Sequence, residues 1–274
     1  MEKKSQFLLG TFIITIVSLM MLGSCSKTSE IRMSEAQVCL DKAQPSDAQD
    51  CISDITDLLT PEAYALRCAA DFSEQGFNNP EKLVDMFDAM AATSAQGQSN
   101  PMYSMMGFLT FSSTDKANQA VSDCSKADSP TLINLSNMAR VSTSISAVSP
   151  TITNLLQQGQ TPTAADVEQA VEDLSSLPPN DPARQAALTA IGESVLSMVS
   201  SCDQAQVQQS YSTNADMCTA IQEANLQTSD NVQQPTAAQI GECLNRRLVC
   251  PNETCACIAT GNCPDITNPL NCPQ

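Results

Sequence analysis

The chain has no histidine and no tryptophan among its 274 residues. Without imidazole, the usual serine and cysteine triads, the histidine-based zinc-protease helices and histidine acid–base chemistry are all unavailable. Aromatic residues make up only 4% and there are nine glycines. Both counts argue against a β-sandwich, because strands favour aromatics and tight hairpin turns consume glycine. Basic residues are scarce as well: 13 Lys and Arg stand against 30 Asp and Glu, a formal net charge of -17. A surface of that sign repels nucleic acid and gains nothing from anionic lipid head groups. No Walker loop, dinucleotide fingerprint or calcium loop is present, and no cofactor is expected.

The one long apolar run comes first. Lys3 and Lys4 precede Phe7 to Leu22, which is apolar apart from Gly10, Thr11, Thr15 and Ser18, the layout of a secretory n-region and h-region. At 16 residues the run is short of the roughly 18 to 20 needed to span a bilayer. It ends in Leu22-Gly23-Ser24-Cys25, which resembles the lipobox of bacterial lipoprotein precursors. The resemblance implies cleavage before Cys25 and attachment of two or three acyl chains to that residue, palmitate being a typical chain. Two or three chains anchor stably where one does not. Ser26, standing where a retained lipoprotein tends to carry aspartate, implies an outer-membrane destination. Residues 1-24 are thus expected to be signal peptide and 25-33 a lipidated tether, with membrane contact made through the acyl chains.

Setting Cys25 aside leaves twelve cysteines: Cys39, Cys51, Cys68, Cys124, Cys202, Cys218, Cys243, Cys250, Cys255, Cys257, Cys263 and Cys272. An even number in an exported chain reads as a disulfide framework. Zinc is the rival at Cys250, Cys255, Cys257 and Cys263, but the gaps are irregular and no histidine can complete a mixed site, so no metal is expected. Cys39 and Cys51 are symmetric about Pro45, and Cys51 and Cys68 lie on either side of Thr60-Pro61. Either Cys39–Cys51 leaves Cys68 for Cys124, or Cys51–Cys68 leaves Cys39 for Cys124. Cys202 and Cys218 flank a polar stretch that a further crosslink would clip.

Ala, Ser, Gln, Leu and Met dominate, which suits helices of small and unbranched side chains. Apolar residues recur at helical spacing in Leu188, Ile191, Val195 and Met198 after Asp181-Pro182, in Val167, Ala170, Val171 and Leu174, and in Leu132, Leu135, Met138, Val141 and Ile145. Ile52, Ile55, Leu58 and Leu59 give a stripe before Thr60-Pro61, and Leu83, Met86, Phe87 and Met90 another after Asn79-Pro80. The fold class expected is all-α: an antiparallel helical bundle or irregular α-solenoid over 34-245, with a disulfide-rich tail over 246-274. Pro61 to Met90, with Tyr64, Ala65, Ala69, Gly76-Phe77 and Pro80, resembles a unit of the tetratricopeptide repeat, although the family's tryptophan is absent.

Candidate sites are few. Ser113-Thr114-Asp115-Lys116 resembles the Ser-x-x-Lys motif of penicillin-binding proteins, yet the companion motifs are missing, and Ser113 reads as a helix cap with Asp115 in the first turn. Glu168, Glu172 and Asp173 read as a solvated helix face. Met102, Met105, Met106 and Phe108 lie in the most apolar internal segment and read either as an adaptable binding groove or as core. With no catalytic constellation, a non-enzymatic scaffold or interaction module for envelope proteins is expected. The alternatives are an accessory component of an envelope transport or secretion system, binding a small ligand or subunit, and a carboxylate-dependent cell-wall hydrolase.

Overall fold

The computed structural model describes residues 28–79, 84, 101–202 and 236–250, with the side chains of 101, 102 and 199–202 excepted. Among the described residues there are ten α-helices, two short 3-10 turns and no strand, so the fold is all-α. In chain order the helices are α1 (Ser29–Leu40), α2 (Ala48–Cys51), α3 (Pro61–Glu74), α4 (Pro101–Leu109), α5 (Thr114–Cys124), α6 (Pro130–Ser146), α7 (Pro150–Gln157), α8 (Ala164–Ser176), α9 (Pro182–Cys202) and α10 (Ala237–Val249).

Proline does much of the punctuation. Half of these helices open on one, where the missing N–H would have been unpaired in any case. Thr60 and Asp181 cap two of the Pro-initiated helices, the first accepting from the Ala63 N–H and the second from those of Ala183 and Arg184. Four of the five helices without an initial proline are capped by side chains; α2 has no such cap. Ser113 accepts from the Lys116 N–H, and Thr163 with Asp166 and Thr236 with Gln239 form reciprocal capping boxes.

The apolar stripes close three main cores. Ala36, Leu40, Ala48, Cys51, Ile52, Ile55 and Ala70 bury against one another where α1, α2 and α3 meet. Cys68, Phe72, Leu109, Phe111, Ala117, Ala120, Cys124 and Ala139 form the second core, in which Phe72 meets Phe77 and Phe111 edge to face. The largest joins α4, α6, α7, α8 and α9 through residues such as Tyr103, Ile145, Ile152, Leu174 and Ile191. Helix α4 packs on α8, α6 on α9, and α8 on α10, and the Tyr103 hydroxyl donates to the Leu248 carbonyl at 2.6 Å. Such skipping contacts make a bundle of this part of the chain, since stacked repeats touch only their neighbours.

The tightest crossing is between α9 and α10. A Cβ on Gly192 would overlap the Ala237 carbonyl, and one on Gly241 the Leu188 carbonyl. The two glycines therefore let the backbones touch reciprocally, one turn apart on each helix. Arg184 locks the same pair of helices: its Nη2 reaches both Glu242 oxygens at 3.0 and 2.8 Å, and its Nη1 the Leu177 carbonyl at 2.8 Å.

Three sequence expectations need correcting. The tether over 25-33 is helical from Ser29, because Thr28 caps α1, Glu30 sits in the first turn, and Arg32 binds the Asp54 carbonyl and the Asp57 carboxylate. The stripe Ile52 to Leu59 is not one helix and Leu59 is exposed. Arg67 Nη2 instead gathers the carbonyls of Ile55, Thr56 and Leu58 at 2.5 to 2.7 Å, holding this stretch in 3-10 and turn geometry. Helix α10 runs to Val249 and so crosses the 245/246 boundary, its apolar face still packing through Leu248 and Val249. Apart from the helical Val84, the stripe after Asn79-Pro80 lies outside the described residues, as does the chain beyond Cys250.

Candidate functional site

The site with the most perturbed chemistry lies where α3 meets α5. On α3, Cys68, Asp71 and Glu74 recur at three-residue spacing and share a face; on α5, Lys116, Ala120, Asp123 and Cys124 share a face through spacings of three and four. The two helices run antiparallel, so the Cys68–Cys124 disulfide closes one end of the contact and Lys116 meets Glu74 at the other. Between these two links lie two carboxylates. Asp71 is 3% exposed and Asp123 is 7% exposed.

Donors reach them unequally. Gln49, from α2, donates its Nε2 to Asp71 Oδ1 at 3.0 Å and to Glu74 Oε2 at 3.3 Å. Lys116 Nζ donates to both Glu74 oxygens at 2.8 and 2.9 Å, and Gln119 donates to Asp123 Oδ2 at 3.3 Å. Asp71 Oδ2 is buried without a hydrogen-bond partner. Burial pushes the Asp71 carboxyl up to about 7; the Gln49 hydrogen bond opposes this, and the negative charges of Asp123 and Glu74 reinforce it more than Lys116 relieves it. This junction can hold a proton near neutral pH. It cannot present two carboxylates to a substrate across a cleft, because both are enclosed between packed helices. Among the described residues no three side chains converge in a way that would hold a metal ion.

A second polar region lies along α6, where Ser142, Thr143, Ser144 and Ser146 are buried. Two of them, Ser142 and Thr143, finish α4. Thr143 Oγ1 accepts from the Phe111 N–H at 2.9 Å and donates to the Ala139 carbonyl at 2.7 Å, while Thr110 and Ser142 both donate to the Met106 carbonyl. The hydroxyls thus satisfy backbone groups left over at a buried helix end.

The structure pairs Cys39 with Cys51, Cα atoms 5.4 Å apart, and Cys68 with Cys124, Cα atoms 4.9 Å apart, the first of the two alternatives open from sequence. A 3-10 turn at Pro45–Asp47 and the single turn of α2 bring Cys51 back to α1. Cys243 and Cys250 are also disulfide-bonded. Cys202 ends α9, whereas Cys25, Cys218, Cys255, Cys257, Cys263 and Cys272 lie outside the described residues. Met106 is buried in the largest core and Met105 packs against the second, so α4 sits between two cores, and Phe108 is half-buried; the Met102 side chain is not described. Ser113 caps α5. Glu168 and Glu172 are exposed, and Asp173 accepts from Gln169 at 3.1 Å.

Sequence reading missed Asp71, Glu74 and Asp123. A signal existed, since Asp71 sits three residues after Cys68 and Asp123 directly before Cys124, but it becomes legible only once those two cysteines are known to pair. No protein-family model, no curated protein and no solved structure matches the chain.

Proposed function

We infer that the protein is an outer-membrane-anchored lipoprotein whose helical body serves as a scaffold or protein-interaction module in the cell envelope. The observation that carries the reading is the state of the thiols. Every cysteine whose side chain is described, Cys39, Cys51, Cys68, Cys124, Cys243 and Cys250, is in a disulfide. Crosslinks of this density belong to oxidising compartments reached by export, and the lipobox at Leu22 to Cys25 supplies the route and the anchor. The same crosslinks stiffen a body made of small-residue helices, and a stiff surface loses little entropy when it binds a partner. Processing removes Glu2, Lys3 and Lys4 and so leaves the acidic body one charge more negative. Basic surfaces are therefore the partners it attracts over a distance.

The test is made in the native host. Labelled palmitate should enter the protein and the protein should fractionate with the outer membrane, and Cys25→Ala should lose both. An unprocessed amino terminus and free sulfhydryls in an intact-mass spectrum would refute the reading.

A further inference from the structure

The turn that carries Gln49 is held by little. Helix α2 spans only Ala48–Cys51, has no side-chain cap, and is flanked by the 3-10 turns Pro45–Asp47 and Ser53–Ile55. A single helical turn is too short to hold by itself. What keeps it in place is the burial of Ala48, Cys51 and Ile52 in the core shared with α1 and α3, together with the disulfide from Cys51 to Cys39. Gln49 stands two residues before Cys51 and is half-buried, and its Nε2 donates to both Asp71 and Glu74. The same four-residue turn thus carries a crosslink and the donor that covers the buried carboxylates.

The crosslink can be reached from outside. Cys39 is exposed, whereas Cys68 and Cys124 are fully buried. We propose that Cys39–Cys51 is a redox latch: a dithiol reductant opens it, the α2 turn loosens, and Gln49 withdraws from Asp71 and Glu74 so that water reaches the α3–α5 junction. A thiolate of the reductant attacks Cys39 Sγ, Cys51 leaves as a thiolate and takes up a proton, and the second thiol of the reductant displaces Cys39 from the mixed disulfide. Two electrons and two protons pass to the Cys39–Cys51 pair, and the reductant ends as a disulfide. The charged groups that face Asp71 are Glu74 on α3 and Asp123 and Lys116 on α5; neither α1 nor α2 brings a charge to bear on it. Burial is the largest influence on that carboxyl, so hydration outweighs the loss of the Gln49 hydrogen bond and returns it toward an ordinary value of about 4. The reduced form therefore releases a proton that the oxidised form keeps, and the junction gains a negative charge near neutral pH. This goes beyond the scaffold reading and does not depend on the lipid anchor.

Exchange between a dithiol and a disulfide moves no net proton below about pH 8, where the thiols on both sides are protonated. In the full-length protein, the exchange constant of Cys39–Cys51 with dithiothreitol, read by acid quench, alkylation and peptide mass spectrometry, should nevertheless rise by up to about tenfold per pH unit between about pH 5 and about pH 7. The rise should vanish in Asp71→Asn, and far-ultraviolet circular dichroism should show the helices retained on reduction. A constant that does not change with pH, an equal rise in Asp71→Asn, or loss of the helical signal on reduction overturns the latch. Where Asp71→Asn does not fold, carbon-13 NMR of the aspartate carboxyls in the unaltered chain reads the same coupling. The carboxyl titrating at about 7 should move down when Cys39–Cys51 is reduced, and one that stays in place overturns the latch as well.

Discussion

Replacing Asp71 by asparagine should make the protein more stable at neutral pH and remove most of one pH dependence. An aspartate in the unfolded chain titrates near 4, whereas burial, countered by Gln49 but reinforced by Asp123 and Glu74, pushes Asp71 up to about 7 in the fold. Its folded value lies above its unfolded one. Below about pH 4 both states are protonated and the stabilising contribution is fully present; as pH rises toward about 7 the unfolded chain ionises and the folded one resists. Stability therefore falls by up to about 1.4 kcal/mol per pH unit across that window, and the whole loss is about 4 kcal/mol. The substitution Asp71→Asn preserves the shape of the side chain. Its amide keeps an oxygen for Gln49 and removes the charge that burial, Asp123 and Glu74 oppose. After allowing for relaxation around the charge, the variant should gain about 2 to 4 kcal/mol at about pH 8 and differ little at about pH 4. Urea unfolding followed by far-ultraviolet circular dichroism across this range reads both curves. Parallel curves, with the same difference at both ends, would refute the reasoning.

The Cys39–Cys51 and Cys68–Cys124 disulfides should differ in their response to mild reductant. Cys39 is exposed and should be alkylated after dithiothreitol without denaturant, whereas Cys68 and Cys124 are fully buried and should react only on unfolding, as mass spectrometry would show. With sequence separations of 12 and 56, loss of the first should cost about 3 kcal/mol and of the second about 4 kcal/mol. Gly192→Ala should destabilise by at least about 1 to 3 kcal/mol in a thermal melt because the Ala237 carbonyl cannot move away alone. Gly159→Ala, with open space around it but φ at +69°, should cost only about 1 to 2 kcal/mol. Glu242→Ala strands the partly buried Arg184 guanidinium and should cost about 2 kcal/mol, most of it absent when Arg184 is already changed, in a double-mutant cycle.

Legibility followed periodicity. The stripes of α6, α8 and α9 were readable because each lies in a helix of more than three turns that begins at a capping residue or proline, so local pattern and packing agree. Ile52 to Leu59 has a similar pattern over fewer turns and misled. Its backbone carbonyls are claimed by Arg67, a residue outside the window, and no propensity inside the segment reports that. The segment around Met106 offered both groove and core, and the choice belongs to α6 and α8, whose side chains close over it.

The sequence by itself determined the helical class and the places where helices start, because capping, proline geometry and composition act within a few residues. Tertiary structure alone decided that Cys39 takes Cys51 and Cys68 takes Cys124, that Gly192 and Gly241 meet across two helices, and that Asp71 is enclosed beside Asp123. Each of these depends on which surfaces pack together, and the burial that raises the Asp71 carboxyl exists only after helices distant in sequence have closed around it.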